Sequence, residues 1–366
     1  MKERKFRYVV LSATKHAYVS DAMAAHPRFE PVVVADDSNN PQWVHDRNEE
    51  YAKTYNIPYV RDVGKAIADY DVDVAVVSSE AERHCDLSVR AANAGLHVVQ
   101  DKPMSTRLSE CDRVVEAVRR NGVKFMMWNR NYLPALIQAR EAVEAGKIGT
   151  LKSIHVDFYF AKDAGPPKEA RKTGRDPINW MERQQEAHND GSDGGVGTEA
   201  MGELAIEGIY PLGYVRLLTG AEVTRVFART ATHFHQANVD NNVEDLATVT
   251  LEMERDIVGS LCIGRIGAAS HPDIGEIKLH MIGSDGALVV TEARPEVAVY
   301  YRNQPVTEFK NQRIASDNNF LLAENFAHAI DSDGETILDA EGGRAICATV
   351  MAALESARSG KPVTPS

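Results

Sequence analysis

Short apolar runs alternate with amphipathic stretches through the first third of the chain. Tyr8 to Leu11 predicts a strand by its β-branched and aromatic content. Ser12 to His16 follows as a turn, and Ala17 to Ala25 as a helix. The pattern then repeats. Pro31 to Ala35 reads as a strand and Trp43 to Tyr55 as a helix with Asn48, Glu49 and Lys53 on a polar face. Pro58 to Val60 is a short strand, Val63 to Asp69 a short helix and Val72 to Val77 a buried strand. Ala81 to Ala94 is a helix closed by Gly95, a residue suited to a left-handed cap. A strand ends at Asp101-Lys102-Pro103, Ser109 to Arg120 is a helix stopped by Asn121-Gly122, and Val123 to Trp128 is the next strand. Strands alternating with helices of this length predict a parallel sheet covered on both faces, and right-handed crossovers make it doubly wound. The α/β fold expected for residues 1–128 is therefore a doubly wound, Rossmann-type domain.

Beyond residue 128 the pattern changes. Asn129-Arg130-Asn131-Tyr132 begins a crossover, and Leu133 to Ala145 predicts a helix stopped at Gly146. Leu151 to Phe160 alternates as a long strand, with Ile154, Val156, Phe158 and Phe160 on one face. Ala161 to Gly197 is polar and rich in glycine, proline and charge, the composition of a lid or binding loop or else of a disordered segment; Trp180 is a candidate substrate contact within it. Strands then dominate: Val223 to Ala231, Glu244 to Glu252, Asp256 to Gly264, Glu276 to Ile282, Gly286 to Thr291 and Glu296 to Tyr301. Short turns such as Ser284-Asp285-Gly286 predict an open, mainly antiparallel sheet. Phe320 to Ile330 and Gly342 to Ser359 are the closing helices. Residues 129–366 thus read as an α+β domain with one sheet face packed on helices and the other free for a partner subunit.

Composition narrows the function classes. The chain has 366 residues, 43% apolar and 26% charged, an ordinary globular balance with room for two domains. Its net charge of −12 argues against a broad nucleic-acid or anionic-membrane surface. No apolar stretch reaches bilayer length, and the run after the basic Met1 to Arg7 is too short for a signal peptide. Cys85, Cys111, Cys262 and Cys347 lie far apart without a C-x-x-C, which suits reduced, structural thiols in a cytoplasmic protein. His233-Phe234-His235 has no third ligand at matching spacing, so no metal is expected. No G-x-S-x-G elbow accompanies Ser12 or Ser78.

The candidate chemistry sits at predicted strand ends, where open parallel sheets bind ligands. Pro103 cannot donate to a ladder and stops its strand, leaving Lys102 at the carboxyl end. The first strand-to-helix turn lacks the expected G-x-G-x-x-G. It still carries small residues, hydroxyls at Ser12 and Thr14, and charge at Lys15 for a phosphate at the helix N-terminus. Asp36 follows the second strand, where an acid holds an adenosine ribose; such an acid repels a 2′-phosphate, so NAD is expected over NADP.

Three stretches resemble the glucose–fructose oxidoreductase, inositol dehydrogenase and rhizopine catabolism (Gfo/Idh/MocA) family. Val74 to His84 is similar to its strand followed by T-P-x-x-x-H. Ala94 to Met104 is similar to its A-G-K-H-V-x-x-E-K-P-L, and Gly202 to Leu212 to its G-x-L-x-D-x-G-x-H/Y. The resemblance implies a nicotinamide-dependent dehydrogenase acting on a sugar, cyclitol or related polyol. It implies NAD(P) binding for residues 1–128, and substrate binding and oligomerisation for residues 129–366, as a homodimer or homotetramer through the second sheet. It implies Lys102 and Tyr210 as catalytic residues, with Tyr210 the proton acceptor for alcohol oxidation. The implied cofactor contacts are Ser12, Thr14, Lys15, His16, Asp36, Ser78, Glu80, His84, Asp101 and Lys102. The implied substrate contacts are Lys102, Arg130, Trp180, Glu203 and Tyr210. The sequence departs from the pattern at Ser79 for proline, Asp101 for glutamate and Ile206 for the acid that accompanies Tyr210; Glu203, three positions earlier on a helix, is the better substitute for that acid than Glu207. Two other readings fit the same residues. One is a sugar oxidoreductase or redox-assisted glycoside-processing enzyme that never releases its NAD. The other is a non-catalytic binding protein on a dehydrogenase scaffold, motivated by the glycine-free turn and Ile206.

Overall fold

The computed structural model describes residues 4–15, 17–160, 201–234, 236–265, 276–291, 296–301, 308–311 and 318–366. They fall into two units. The first is the chain up to Arg130 together with residues 318–347; the second holds the remaining described residues.

In the first unit six strands, β1 (Phe6–Leu11), β2 (Phe29–Ala35), β3 (Tyr59–Val60), β4 (Val74–Val77), β5 (His97–Gln100) and β6 (Phe125–Met127), form one sheet in the order β3-β2-β1-β4-β5-β6. Every pair is parallel. Consecutive Val9, Val10 and Leu11, and all of Val74 to Val77, are completely buried. Such unbroken burial is what a sheet covered on both faces requires, and it explains why these strands show no polar alternation. The intervening helices are α1 (Ala17–Ala25), α2 (Gln42–Tyr55), α3 (Val63–Asp69), α4 (Ala81–Asn93) and α5 (Leu108–Asn121). Gly95 and Gly122 take positive φ beyond the ends of α4 and α5, as the sequence reading expects for Gly95. Chain order reverses between β1 and β4, so the crevice outside their carboxyl ends is the switch point of a doubly wound fold.

Residues 318–347 complete this unit. α10 (Asn318–Ser332) packs on α1, and Phe326 stacks near Phe29 with ring centroids 6.3 Å apart. Met127 N–H donates to the Leu338 carbonyl at 3.0 Å and Thr336 Oγ1 to the Phe125 carbonyl at 2.6 Å. The open edge of β6 is thereby covered, which removes a pairing surface.

In the second unit eight strands form one sheet: β7 (Leu151–Phe160), β8 (Val223–Ala231), β9 (Leu246–Met253), β10 (Ile257–Arg265), β11 (Glu276–Gly283), β12 (Gly286–Thr291), β13 (Glu296–Tyr301) and β14 (Glu308–Asn311). The order is β14-β13-β12-β11-β7-β10-β9-β8. Neighbours are antiparallel except β7 and β10, which run parallel. Ile154, Val156, Phe158, Leu261, Ile263, Ile277, Leu279 and Met281 line the buried face. Among the described residues α6 (Pro134–Glu144), α7 (Glu203–Glu207) and α8 (Ile209–Thr219) pack on this sheet. The opposite face leaves Phe227, Val258 and Ile282 exposed. A short helix, α9 (Gln236–Asp240), lies between β8 and β9.

The sequence motif around Tyr210 is two helices rather than one. Gly208 joins α7 to α8 so closely that a Cβ there would collide with the Leu204 carbonyl. Gly208→Ala is therefore expected to force this joint open and lower stability by about 1–3 kcal/mol, the usual range for overpacking. A urea titration of the variant beside the wild type checks it.

Candidate active site

The turn after β1 works without glycines because Ser12 takes a glycine's conformation. Its φ is +62°, in the left-handed region that L side chains rarely occupy. Local bonds hold it there. Ser12 N–H donates to the Ala35 carbonyl at 3.0 Å, and its hydroxyl lies 3.0 Å from that of Thr14. Ala13 N–H donates to Asn48 Oδ1 at 2.7 Å and Lys15 N–H to the Ser78 carbonyl at 3.1 Å, tying the turn to α2 and to the end of β4. Ser12 and Thr14 are completely buried. His16 lies outside the described residues.

Asp36 ends β2 and is completely buried. Its Oδ1 accepts from Asp37 N–H (2.9 Å), Asn40 Nδ2 (2.7 Å) and Arg83 Nη1 (2.6 Å). Its Oδ2 accepts from Asn48 Nδ2 (3.0 Å) and Arg83 Nη2 (3.1 Å). Arg83 reaches this carboxylate from the first turn of α4. It also donates to Ser12 Oγ at 3.1 Å and, through Nε and Nη2, to Glu80 Oε2 at 2.9 and 2.7 Å. Burial works against its charge, but Glu80 and Asp36 outweigh that and hold the guanidinium firmly protonated. Burial likewise pushes the Asp37 carboxyl up, and the hydrogen bonds and charge of Arg90 more than reverse this, leaving it below the ordinary value.

Lys102 sits at the carboxyl end of β5 and is 3% exposed. Lysine is almost never buried to this extent without a partner, and Asp101 beside it is completely buried. Asp101 N–H donates to the Val77 carbonyl at 2.9 Å, carrying the ladder one residue past the strand. The Lys102–Pro103 peptide is cis. The three carbonyls that follow are each met by a side chain. His84 Nδ1 is 2.8 Å from Pro103 O, Gln100 Nε2 donates to Met104 O at 3.0 Å with Cys85 Sγ at 3.3 Å, and Cys347 Sγ donates to Ser105 O at 3.4 Å. The hydrogen bond with Cys111, then burial, raises the Cys347 thiol, so it remains a donor; the four cysteines are free.

Two further atoms decide whether these strand ends suit a nucleotide. Among the described residues Ser78 Oγ and Glu80 Oε1, at the end of β4, are buried with no hydrogen-bond partner. Buried polar atoms are normally satisfied, so an open donor and acceptor beside a left-handed turn and a buried acid are what a polar ligand would complete. The residues fit a dinucleotide.

In the second unit Glu203 opens α7 and is 2% exposed; Arg265 Nε donates to its Oε2 at 2.9 Å. Glu244 Oε1 accepts from Leu204 N–H at 3.0 Å, and burial raises its pKa. Glu207 is also buried, whereas Ile206 is half-buried. Tyr210 is 7% exposed, with its ring 6.2 Å from that of Phe158. Arg130 follows β6 and is half-buried, and Trp180 lies outside the described residues. Among the described residues no group of three His, Cys, Asp or Glu side chains is arranged to hold a metal. Sequence reasoning overlooked Arg83, Gln100, Glu244 and Arg265. Arg83 and Gln100 both lie within the quoted motifs, and Arg83 carried a further signal: a cation in a first helical turn opposes the helix dipole.

The oxidoreductase family described as "Oxidoreductase family, NAD-binding Rossmann fold" matches residues 11–128, and the GFO/IDH/MocA C-terminal domain matches residues 136–289. The chain belongs to the Gfo/Idh/MocA family of NAD-binding oxidoreductases. An inositol 2-dehydrogenase from Salmonella paratyphi B is 32% identical over 112 residues, which is 30% of this chain and 32% of that relative. A levoglucosan dehydrogenase solved with NADH and L-sorbose superposes with a TM-score of 0.80 at 20% identity, covering 99% of each chain. An Agrobacterium radiobacter oxidoreductase solved with NAD+, L-tartaric acid and magnesium gives 0.78 at 17% identity, covering 98% of each. At these identities the two structures establish likeness of fold.

His84 supplies a pH test of the site. It is completely buried, and burial lowers its pKa from 6.5 to about 4, against the raising effects of Asp101 and of its two carbonyl neighbours. The unfolded chain takes up this proton near pH 6.5 while the fold refuses it until about 4. Stability is therefore expected to fall as pH drops through that window, by roughly 3 kcal/mol at most from this residue. Urea midpoints measured from pH 7 to 4 should decline, with a shallower slope in His84→Gln; equal slopes would remove His84 as the cause.

Proposed function

We propose that this protein is an NAD-dependent dehydrogenase that oxidises a secondary hydroxyl of a sugar, cyclitol or related polyol, or reduces the corresponding ketone. The first 128 residues hold the dinucleotide and residues 129–366 hold the substrate. The observation that carries the reading is Lys102: a lysine 3% exposed at the carboxyl end of a central parallel strand, in a chain of this family. Bound NAD supplies the hydride acceptor. Ser12, Thr14, Lys15, Asp36, Ser78, Glu80 and His84 hold and orient it. Lys102 hydrogen-bonds the substrate hydroxyl and orients the carbinol carbon, and Tyr210 takes the hydroxyl proton. Glu203 and Arg130 are the further substrate contacts.

The net charge of −12 supports a small-molecule partner over nucleic acid. Among the described residues no helix is long and apolar enough to cross a membrane; the four free cysteines support a location in the reducing cytoplasm. The open sheet face bearing Phe227, Val258 and Ile282 supports a homodimer or homotetramer.

A screen of sugars, cyclitols and polyols by NADH absorbance identifies the substrate. Lys102→Met should then lower kcat by about 10²–10⁴-fold, the range for losing a proton-handling group, while calorimetry finds NAD affinity within a few-fold of wild type. Turnover retained in that variant would remove Lys102 from the chemistry.

A further inference from the structure

The sequence places three acids, Asp36, Asp37 and Glu80, at the ends of β2 and β4, where an acidic ribose site excludes a 2′-phosphate. The structure cancels most of that charge. Arg90 holds Asp37 with both guanidinium Nη atoms, at 2.5 and 3.0 Å. Arg83 lies between Asp36 and Glu80 and binds both. Among these five side chains two cations stand against three acids, Arg90 being shared with Asp86 at 3.9 Å.

Asp36 is also over-supplied with donors. A carboxylate offers about four lone-pair sites, and five hydrogen bonds reach it. Three come from Asp37, Asn40 and Asn48, in the β2–α2 segment that carries Asp36, and these alone satisfy both oxygens. Arg83 is the additional one, and it arrives across the end of β1, touching Ser12 on the way. No intrinsic preference puts it there, since the dipole of α4 disfavours a cation in its first turn. Its side chain is 20% exposed, so a ligand can reach it. A guanidinium with two Nη donors on one side suits a phosphate as well as a carboxylate.

We propose that Arg83 selects the dinucleotide: it releases Asp36 to ribose hydroxyls when NAD binds and pairs with the 2′-phosphate when NADP binds, so the site accepts both. This rests on the dinucleotide-binding reading above. Arg83 acts on the adenosine end of the cofactor and takes no part in proton or hydride transfer.

The test is isothermal calorimetry of NAD and of NADP, with wild type, Arg83→Lys and Arg83→Gln, each first shown to be folded by circular dichroism. Wild type should bind NADP within about tenfold of NAD, a difference of roughly 1.4 kcal/mol. Arg83→Gln should weaken NADP at least about tenfold more than NAD, and added salt should erode wild-type NADP binding faster than NAD binding. Arg83→Lys keeps the charge and loses the fork, so its NADP/NAD ratio should fall between the two; it also serves as the test if Arg83→Gln does not fold. A ratio unchanged in both variants would mean a structural counter-ion and overturn the proposal while leaving NAD binding intact. Folded wild type that binds neither dinucleotide would overturn the functional reading and this inference together.

Discussion

A buried carbonyl needs a donor, and the segment after β5 presents three in succession. Proline supplies no N–H of its own, and the chain here has left the sheet, so backbone partners are scarce. The carbonyls of Pro103, Met104 and Ser105 are met instead by side chains from β5, α4 and the final helix: Gln100, His84, Cys85 and Cys347. This constraint holds Lys102 at a strand's end. It also explains why the thiols that looked merely structural in the sequence sit where they do. A buried thiol is a weak donor, but a fixed one, and its raised pKa keeps the proton on sulfur.

The same economy governs the turn after β1. A glycine-rich turn lets backbone N–H groups approach a phosphate at little steric cost. This chain places a serine at positive φ and stabilises it with bonds to β2, Thr14 and Arg83. The turn is consequently built into the ends of β2 and β4 and the side chain of Asn48. Ionic groups follow suit: each acid at these strand ends is answered by an arginine from α4, a helix whose own apolar face packs against the sheet.

The parallel sheet was legible because a doubly covered strand has a plain signature, a short unbroken apolar run between turn residues. Helix ends at Gly95 and Gly122 were legible for an equally local reason, the left-handed cap. β7 showed its period of two over its full length, from Leu151 to Phe160. The short strand β14 carried too little pattern to be noticed, and the split at Gly208 between α7 and α8 is invisible to periodicity, since both halves keep a helical repeat. Lys102, Asp36 and Tyr210 were legible as motif positions. What surrounds them was not. Arg83 and Asp36 are 47 residues apart, and Glu203 and Arg265 are 62 apart.

By itself the sequence determined the class of fold, the family, the element order and the residue types at each strand end, because propensity, burial pattern and capping act over a few neighbouring residues. Tertiary structure decided which charges cancel, that β7 and β10 run parallel in an otherwise antiparallel sheet, and that residues 318–347 complete the parallel-sheet unit although the strands of the second sheet separate them from it along the chain. The physical reason is the range of the interactions. A hydrogen bond or ion pair forms wherever folding brings its atoms within about 3 Å, and chain separation leaves no trace of it in local pattern.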